Sequence, residues 1–295
     1  MTFTAHPPTS LPTAAAWSTL EVAEVRGKSR LIGCQNIQPL KILQPASPTA
    51  ACHAVLSSYG GGMVAGDVIR LRISGRAHSR LVVSTQASTR IFRSIDGAVA
   101  EQHTAGELGD HALAVLFPDP VVLQAESRYR QVQEWHLQPT SLLLLVDWFH
   151  SGRVDQGERF AFTSLHSELR VRVGGRLVLL DRFAFSPGEH IATSPANFAG
   201  YQTFFSAFLV GSPDDARFRQ LATVLAGLKM AGSTGPHFNI HERACVVSVA
   251  KARENVWVLR AAAHSRMELQ PLCDALLAGL ADARLLGYNP LARKY

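Results

Sequence analysis

The chain has 295 residues with 47% hydrophobic and 18% charged content, which excludes a disordered chain and leaves room for one large domain or two small ones. A chain of this length buries about three quarters of its unfolded surface and needs no disulfide staples. The net charge is +6, but Lys and Arg are scattered among strand-like stretches, so no stripe for nucleic acid is present; a solvated basic face or an acidic protein partner accounts for the balance.

Residues 1–16 are rich in Pro, Thr and Ala and carry no Lys or Arg, which predicts a loose tail rather than a signal peptide. Trp17 to Ile32 predicts a first strand pair, and Pro39 to Pro45 a short strand fenced by prolines. His53 starts a strand that leads into Tyr59-Gly60-Gly61-Gly62-Met63-Val64-Ala65-Gly66-Asp67, where four glycines occupy seven positions. Val68 to Ile73 alternates apolar and basic residues, the period of a half-buried strand. The glycine stretch is therefore a connection between strands. A phosphate loop needs a following helix and a Gly-Lys-Ser/Thr ending, and neither is there. Turn geometry explains the glycines but not Asp67.

Arg80 to Thr85 is β-branched and predicts a strand. Gln102 to His111 reads as turns with another short strand. Ala112 to Phe117 reads as a buried strand, followed by segments at Val121, at Ser127 to Leu137 and at Ser141 to Phe149. Strands at such regular intervals argue for an all-β body over 17–212. Gly174-Gly175 between two alternating runs, Glu168 to Val173 and Arg176 to Asp181, predicts a two-residue hairpin.

After Pro213 the pattern changes. Phe218, Leu221, Leu225 and Leu228 are spaced three and four apart, which predicts a helix over 214–230. Two strands follow, at Ala244 to Ala250 and Val256 to Ala262. A second helix is predicted over 267–286, stopped by Gly287 and Pro290. So 213–295 reads as a small α+β closing region, and its helices as docking or capping elements. No repeat of fixed period is visible. The longest apolar run, Leu142 to Val146, is too short to span a membrane. Cys34, Cys52, Cys245 and Cys273 form no short pair, which points to reduced thiols and a cytoplasmic setting.

Asp67, Asp147 and Asp181 are the sharpest chemical candidates, each next to a glycine turn or at the end of an apolar run. Such a carboxylate either leaves a strand end for water or lines a polar interior. Arg90, Arg93 and Arg153 are candidate counter-charges, with Glu158 a partner. Cys52-His53 joins a soft and a borderline metal ligand, and His237 and His241 stand four apart. His103, His111, His136 and His150 read as ordinary surface or half-buried residues. No G-x-S-x-G elbow surrounds Ser84, Ser88 or Ser151. An enzyme reading is left with Asp147 and Glu158 as the carboxylate pair of a cytosolic β-fold hydrolase.

Four ordered motifs carry a family resemblance. The Gly61-Gly62-x-x-x-Gly66-Asp67 turn comes first, then Thr85-x-x-x-Thr89-Arg90-x-Phe92-Arg93-Ser94, then Leu116-Phe-Pro-Asp119-Pro120. Last is Gly152-Arg153-x-x-x-Gly157-Glu158-x-Phe160. Together they resemble the urease accessory protein family UreD, also called UreH. Ala65 stands where that pattern often has glycine, and Arg90 where it often has lysine. The resemblance implies a mostly β, elongated stack of sheets, β-helix-like, with a water-filled passage inside. It implies a non-catalytic chaperone for nickel insertion and metallocentre assembly. Such a protein binds apo-urease, a UreF-like adaptor and a UreG-like GTPase, with a dimer of complexes as a further expectation. Ni²⁺ passes in transit and is not held tightly. On this resemblance Asp67, Asp147 and Asp181 line the route, and Gly61, Gly62 and Gly66 shape the bend beside Asp67.

Overall fold

Alternation at Val68–Gly75 and Arg128–Leu137 puts every second side chain on one face, and those faces meet between two sheets. The computed structural model describes residues 16–192, 194, 198–228 and 243–292. In chain order the strands begin with β1 (Ser18–Val25), β2 (Lys28–Gln35), β3 (Leu40–Leu43), β4 (Cys52–Ser58), β5 (Gly62–Met63) and β6 (Val68–Gly75). They continue with β7 (Arg80–Thr85), β8 (Thr89–Ile91), β9 (Ala100–Leu108), β10 (Leu113–Phe117), β11 (Val121–Leu123) and β12 (Arg128–Leu137). The last are β13 (Leu142–His150), β14 (Ser164–Val173), β15 (Arg176–Phe185), β16 (Thr203–Val210), β17 (Cys245–Arg253) and β18 (Val256–Ala263). Helix α1 spans Ala216–Gly227 and helix α2 Gln270–Leu280.

The strands form a seven-stranded sheet, ordered β15-β14-β12-β9-β6-β1-β2, and an eleven-stranded sheet whose main path is β17-β18-β16-β13-β10-β7-β4-β3. The chain winds between them as a solenoid. Strands β6, β9, β12 and β14 stack in parallel on one side, and β4, β7, β10 and β13 on the other. Short β5, β8 and β11 make a third face, with β11 also pairing to the end of β13. The register stacks Ile69 on Gln102, Gln131 and Ser167, so the coils have unequal lengths and leave no fixed sequence period.

Two cores result. One lies between the sheets and holds Leu71, Ile73, Leu116, Leu145, Trp135 and Val171, all buried. The other lies between the eleven-stranded sheet and the helices, where Val82, Val115 and Leu144 meet Leu221, Leu225 and Leu276. Thr49 donates to the Leu286 carbonyl at 2.7 Å, and Arg80 donates to the carbonyls of Ala283 and Leu285. The last segment of the chain is thereby tied to the first coil.

The hairpin forms as the sequence predicts, with Gly174 and Gly175 at φ 54° and 80° between antiparallel β14 and β15. Three differences stand out. Strand β9 runs nine residues where a turn-rich stretch was expected; its inward Gln102 and Thr104 are polar because they face open space inside. Gly106, on the same strand, leaves room for the buried Trp135 ring. Helix α2 stops at Leu280, and the chain reaches Gly287 through turns rather than helix. Strand β16 carries no alternation along most of its length, being apolar on both faces.

Candidate functional site

A polar layer crosses the apolar space between the sheets. On the eleven-stranded side, register places Asp147 beside Ser206, Ser206 beside Arg260, and Arg260 beside Ser248. On the seven-stranded side it places Gln102 beside Gln131 and Gln131 beside Ser167. The two rows join at Asp147. Its Oδ2 accepts from Gln131 Nε2 at 2.6 Å and from Ser167 Oγ at 3.1 Å. Tyr129, fully buried, turns its hydroxyl toward Gln102 and Gln131 at 3.3 and 3.4 Å.

Asp147 is surrounded by protein, though only half-buried because of the open space beside it, and desolvation pushes its pKa up. The bonds from Gln131 and Ser167 oppose that rise; the Asp181 charge adds to it and the Arg260 charge opposes it. The side chain is nonetheless not sealed, because it looks into cavities. One, about 460 Å³, reaches from Asp147 past Gln133, Asp119 and Thr89 to Gly61. The other, about 640 Å³, reaches from Asp147 to Asp181 and Arg260 through walls of Phe149, Phe183 and Phe204. Both are bounded by Val121, Tyr129, Gln131, Asp147 and Trp148, so they abut at the carboxylate.

Asp181 sits on edge strand β15 and forms an ion pair with Arg260 of β18, closing the sandwich across its open side. Arg260 also donates to Ser206 Oγ at 3.2 Å and lies 5.7 Å from the centre of the Phe208 ring. Asp147 and Asp181 thus share one cavity, as Asp147 and Gly61 share the other. Asp67 lines neither. Its Oδ2 accepts from the Val64 backbone N–H at 2.8 Å, so the carboxylate folds back onto its own turn.

The glycines shape that turn. Gly60, Gly61 and Gly66 have φ of 78°, 71° and 84°. Gly62 is extended instead, and a Cβ there would collide with the Arg90 carbonyl and come within 2.7 Å of the Phe92 ring. Thr89 faces the first cavity, while Arg90 is exposed. The second motif continues inward: Thr85 Oγ1 donates to Asp119 Oδ2 at 2.7 Å and accepts from the Asp119 N–H at 2.7 Å. Asp119, of the Leu-Phe-Pro-Asp-Pro segment, is buried beside Arg266 at 3.8 Å. The last motif is a clasp. Arg153 Nε donates to Glu158 Oε2 at 2.8 Å, and that bond holds the Glu158 carboxyl below its ordinary pKa. Gly152 lets the backbone pass Glu158, and Gly157 takes φ 77° in the turn between them. Glu158 lines neither cavity that Asp147 lines, so the hydrolase pair is not assembled there. Arg93 pairs with Glu126.

Neighbours on a strand point to opposite faces, and Cys52 and His53 do so. Cys52 enters the core between the sheets, while His53 Nε2 bonds Ser84 Oγ at 2.9 Å on the helix side. They cannot hold one ion together. His237 and His241 lie outside the described residues. Among the described residues no group of three or more His, Cys, Asp or Glu could hold a metal, and no helix is long and apolar enough to cross a membrane. Gln131, Ser167, Ser206 and Arg260 were not singled out in the sequence. A signal existed: each shares its strand parity with core residues, as Gln131 does with Tyr129, Trp135 and Leu137.

Known proteins agree with the motifs. The family model described as UreD urease accessory protein matches residues 14–294. A "Urease accessory protein UreD" of Cytophaga hutchinsonii is 36% identical over 277 residues, covering 92% of this chain and 96% of that protein. One of Sorangium cellulosum is 33% identical over 282 residues, covering 94% and 83%. A "Urease accessory protein D" of Arabidopsis thaliana is 37% identical over 145 residues, covering 48% and 49%. With the match running almost end to end and three of the four motifs lining the first cavity, the chain belongs to the UreD family of urease accessory proteins.

Proposed function

We propose that this chain, placed in urease maturation by its family, is a non-catalytic scaffold that passes Ni²⁺ to apo-urease through its interior. The observation that carries the reading is Asp147: a carboxylate inside a β-sandwich, hydrogen-bonded only to neutral groups, with a cavity on either side. A carboxylate half-buried inside the sandwich with no cation in contact is costly, and a passing dication relieves that cost. The groups along the route offer oxygen: Asp119, the amides of Gln133 and Gln131, Ser167, Asp147 and then Asp181. Oxygen donors hold Ni²⁺ less firmly than imidazole or thiolate, which suits release rather than storage. Ni²⁺ is cargo here and not a resident cofactor. The route has one end at Gly61 and Thr89 and the other beside Asp181, and a UreF-like adaptor and a UreG-like GTPase are the docking partners. The setting is the cytoplasm, and two such complexes pair.

The test is urease nickel content in cells making the complete urease system, with this chain wild type, absent, or carrying Asp147→Asn. Absence is expected to abolish loading, and the variant to lower it while the accessory complex still co-purifies. Full loading without the chain would remove the reading. Loading that needs the chain but ignores Asp147 would leave a scaffold with the metal travelling elsewhere.

A further inference from the structure

We propose that Arg260 is a displaceable plug at the Asp181 end of the second cavity, a built-in counter-ion that a cation must replace. The inference deepens the proposed route and rests on it. Asp181 and Arg260 belong to different sheets, and their ion pair spans the gap between edge strand β15 and β18. Both line the 640 Å³ cavity that opens onto Asp147. Arg260 is two strands away from Asp147 in the same row, about 10 Å at ordinary strand spacing. A permanent positive charge therefore stands in a space whose other ionised groups are carboxylates.

Three features make the guanidinium movable rather than fixed. Its side chain is 51% exposed against 24% for Asp181, so it has room to swing outward into water. Its other contacts are one hydrogen bond, to Ser206, and the face of Phe208. An ion pair this exposed is weak, so exchanging Arg⁺ for a dication is inexpensive. While the pair is closed, Asp181 is occupied and the mouth repels cations. When a cation takes Asp181, the guanidinium is released toward the surface, where a carboxylate on a docked protein can receive it. The plug thus makes passage of the ion beside Asp181 conditional on opening the pair.

The experiment measures Ni²⁺ binding to the purified full chain, by equilibrium dialysis, for wild type, Arg260→Gln, Asp181→Asn and the double variant. Arg260→Gln is expected to bind Ni²⁺ roughly tenfold more tightly, since a unit charge a few ångströms from a dication is removed. Asp181→Asn alone is expected to give no gain, and the double variant to lose the gain. The inference is overturned if Arg260→Gln binds no more tightly than wild type, or if its gain survives in the double variant. Should Arg260→Gln not fold, Arg260→Met, which keeps an apolar stem over Phe208 and removes the charge, carries the same test. Methionine frees Asp181 as glutamine does, so binding should again tighten roughly tenfold; unchanged binding overturns the plug. Failure of the route itself reads differently: nickel loading in cells would then ignore Asp147→Asn, or ignore deletion of the chain, whatever Arg260→Gln does in dialysis.

Discussion

Gln131 reaches across the space between two sheets and donates from Nε2 to Oδ2 of Asp147 at 2.6 Å. The same nitrogen donates to Ser167 Oγ at 2.9 Å, so one amide holds the carboxylate and also positions the hydroxyl that holds it. Neither neighbour carries a charge. The layer is polar enough to keep Asp147 in place and too weakly so to remove the penalty of burying it.

Asp147→Asn should therefore stabilise the fold near neutral pH. The folded pKa is raised, so the wild type keeps its full stability below the unfolded pKa near 3.8 and loses stability as pH rises through the folded value. Asparagine removes that loss. Urea unfolding is expected to show the variant ahead by on the order of 1 kcal/mol at pH 7.5, with the gap closing by pH 4. A variant less stable at pH 7.5 would mean that the carboxylate is structurally required.

His150 gives the opposite slope. Burial, with Arg266 nearby, lowers its pKa to about 4, while its Nδ1 bonds Thr203 Oγ1 at 2.8 Å. A histidine that stays neutral when folded costs nothing above its unfolded pKa. Its contribution is lost as pH falls from about 6.5 toward 4, amounting to about 2 kcal/mol by pH 5. His150→Asn, which keeps a partner for Thr203, should flatten unfolding stability between pH 7 and 5.

The glycine turn separates two kinds of constraint. Gly62→Ala drives a methyl into the Arg90 carbonyl and should cost about 3 kcal/mol, because strand β8 must move. Gly61→Ala meets no atom within 4 Å and suffers only its φ of 71°, a cost of roughly 1 kcal/mol. Thermal unfolding of both variants orders them, and the reverse order would contradict the packing described.

Asp67 divides along the same line. Asparagine preserves the acceptor for the Val64 N–H, so Asp67→Asn should leave urease nickel loading close to wild type. Asp67→Ala should lower stability by about 1 kcal/mol through the opened turn. Loss of loading in a well-folded Asp67→Asn protein would show that the negative charge itself is used.

Much of the architecture is legible in the residues. Period-two alternation marks β6 and β12, Gly174-Gly175 marks the hairpin, and the spacing of Phe218, Leu221 and Leu225 marks α1. The inner layer is not, for a physical reason: a polar residue that faces enclosed space reads the same as one that faces bulk water. Gln102 and Thr104 make β9 resemble a loop, and Gln131 and Ser167 carry no local mark of the carboxylate they hold. Three aspartates alike in local sequence also separate once folded. Asp147 and Asp181 share a cavity, whereas Asp67 spends its carboxylate on Val64.

The tie between Thr49, Arg80 and residues 283–286 has a consequence for synthesis. Domains tend to fold from the N-terminus as they leave the ribosome. Here β4, β7 and β10 can stack early, yet their helix-side face, with Val82, Val115 and Phe117, is fully covered only once α1, α2 and Leu286 have all emerged. Until then the nascent chain carries an apolar flank open to water, the kind of surface that associates with other apolar surfaces.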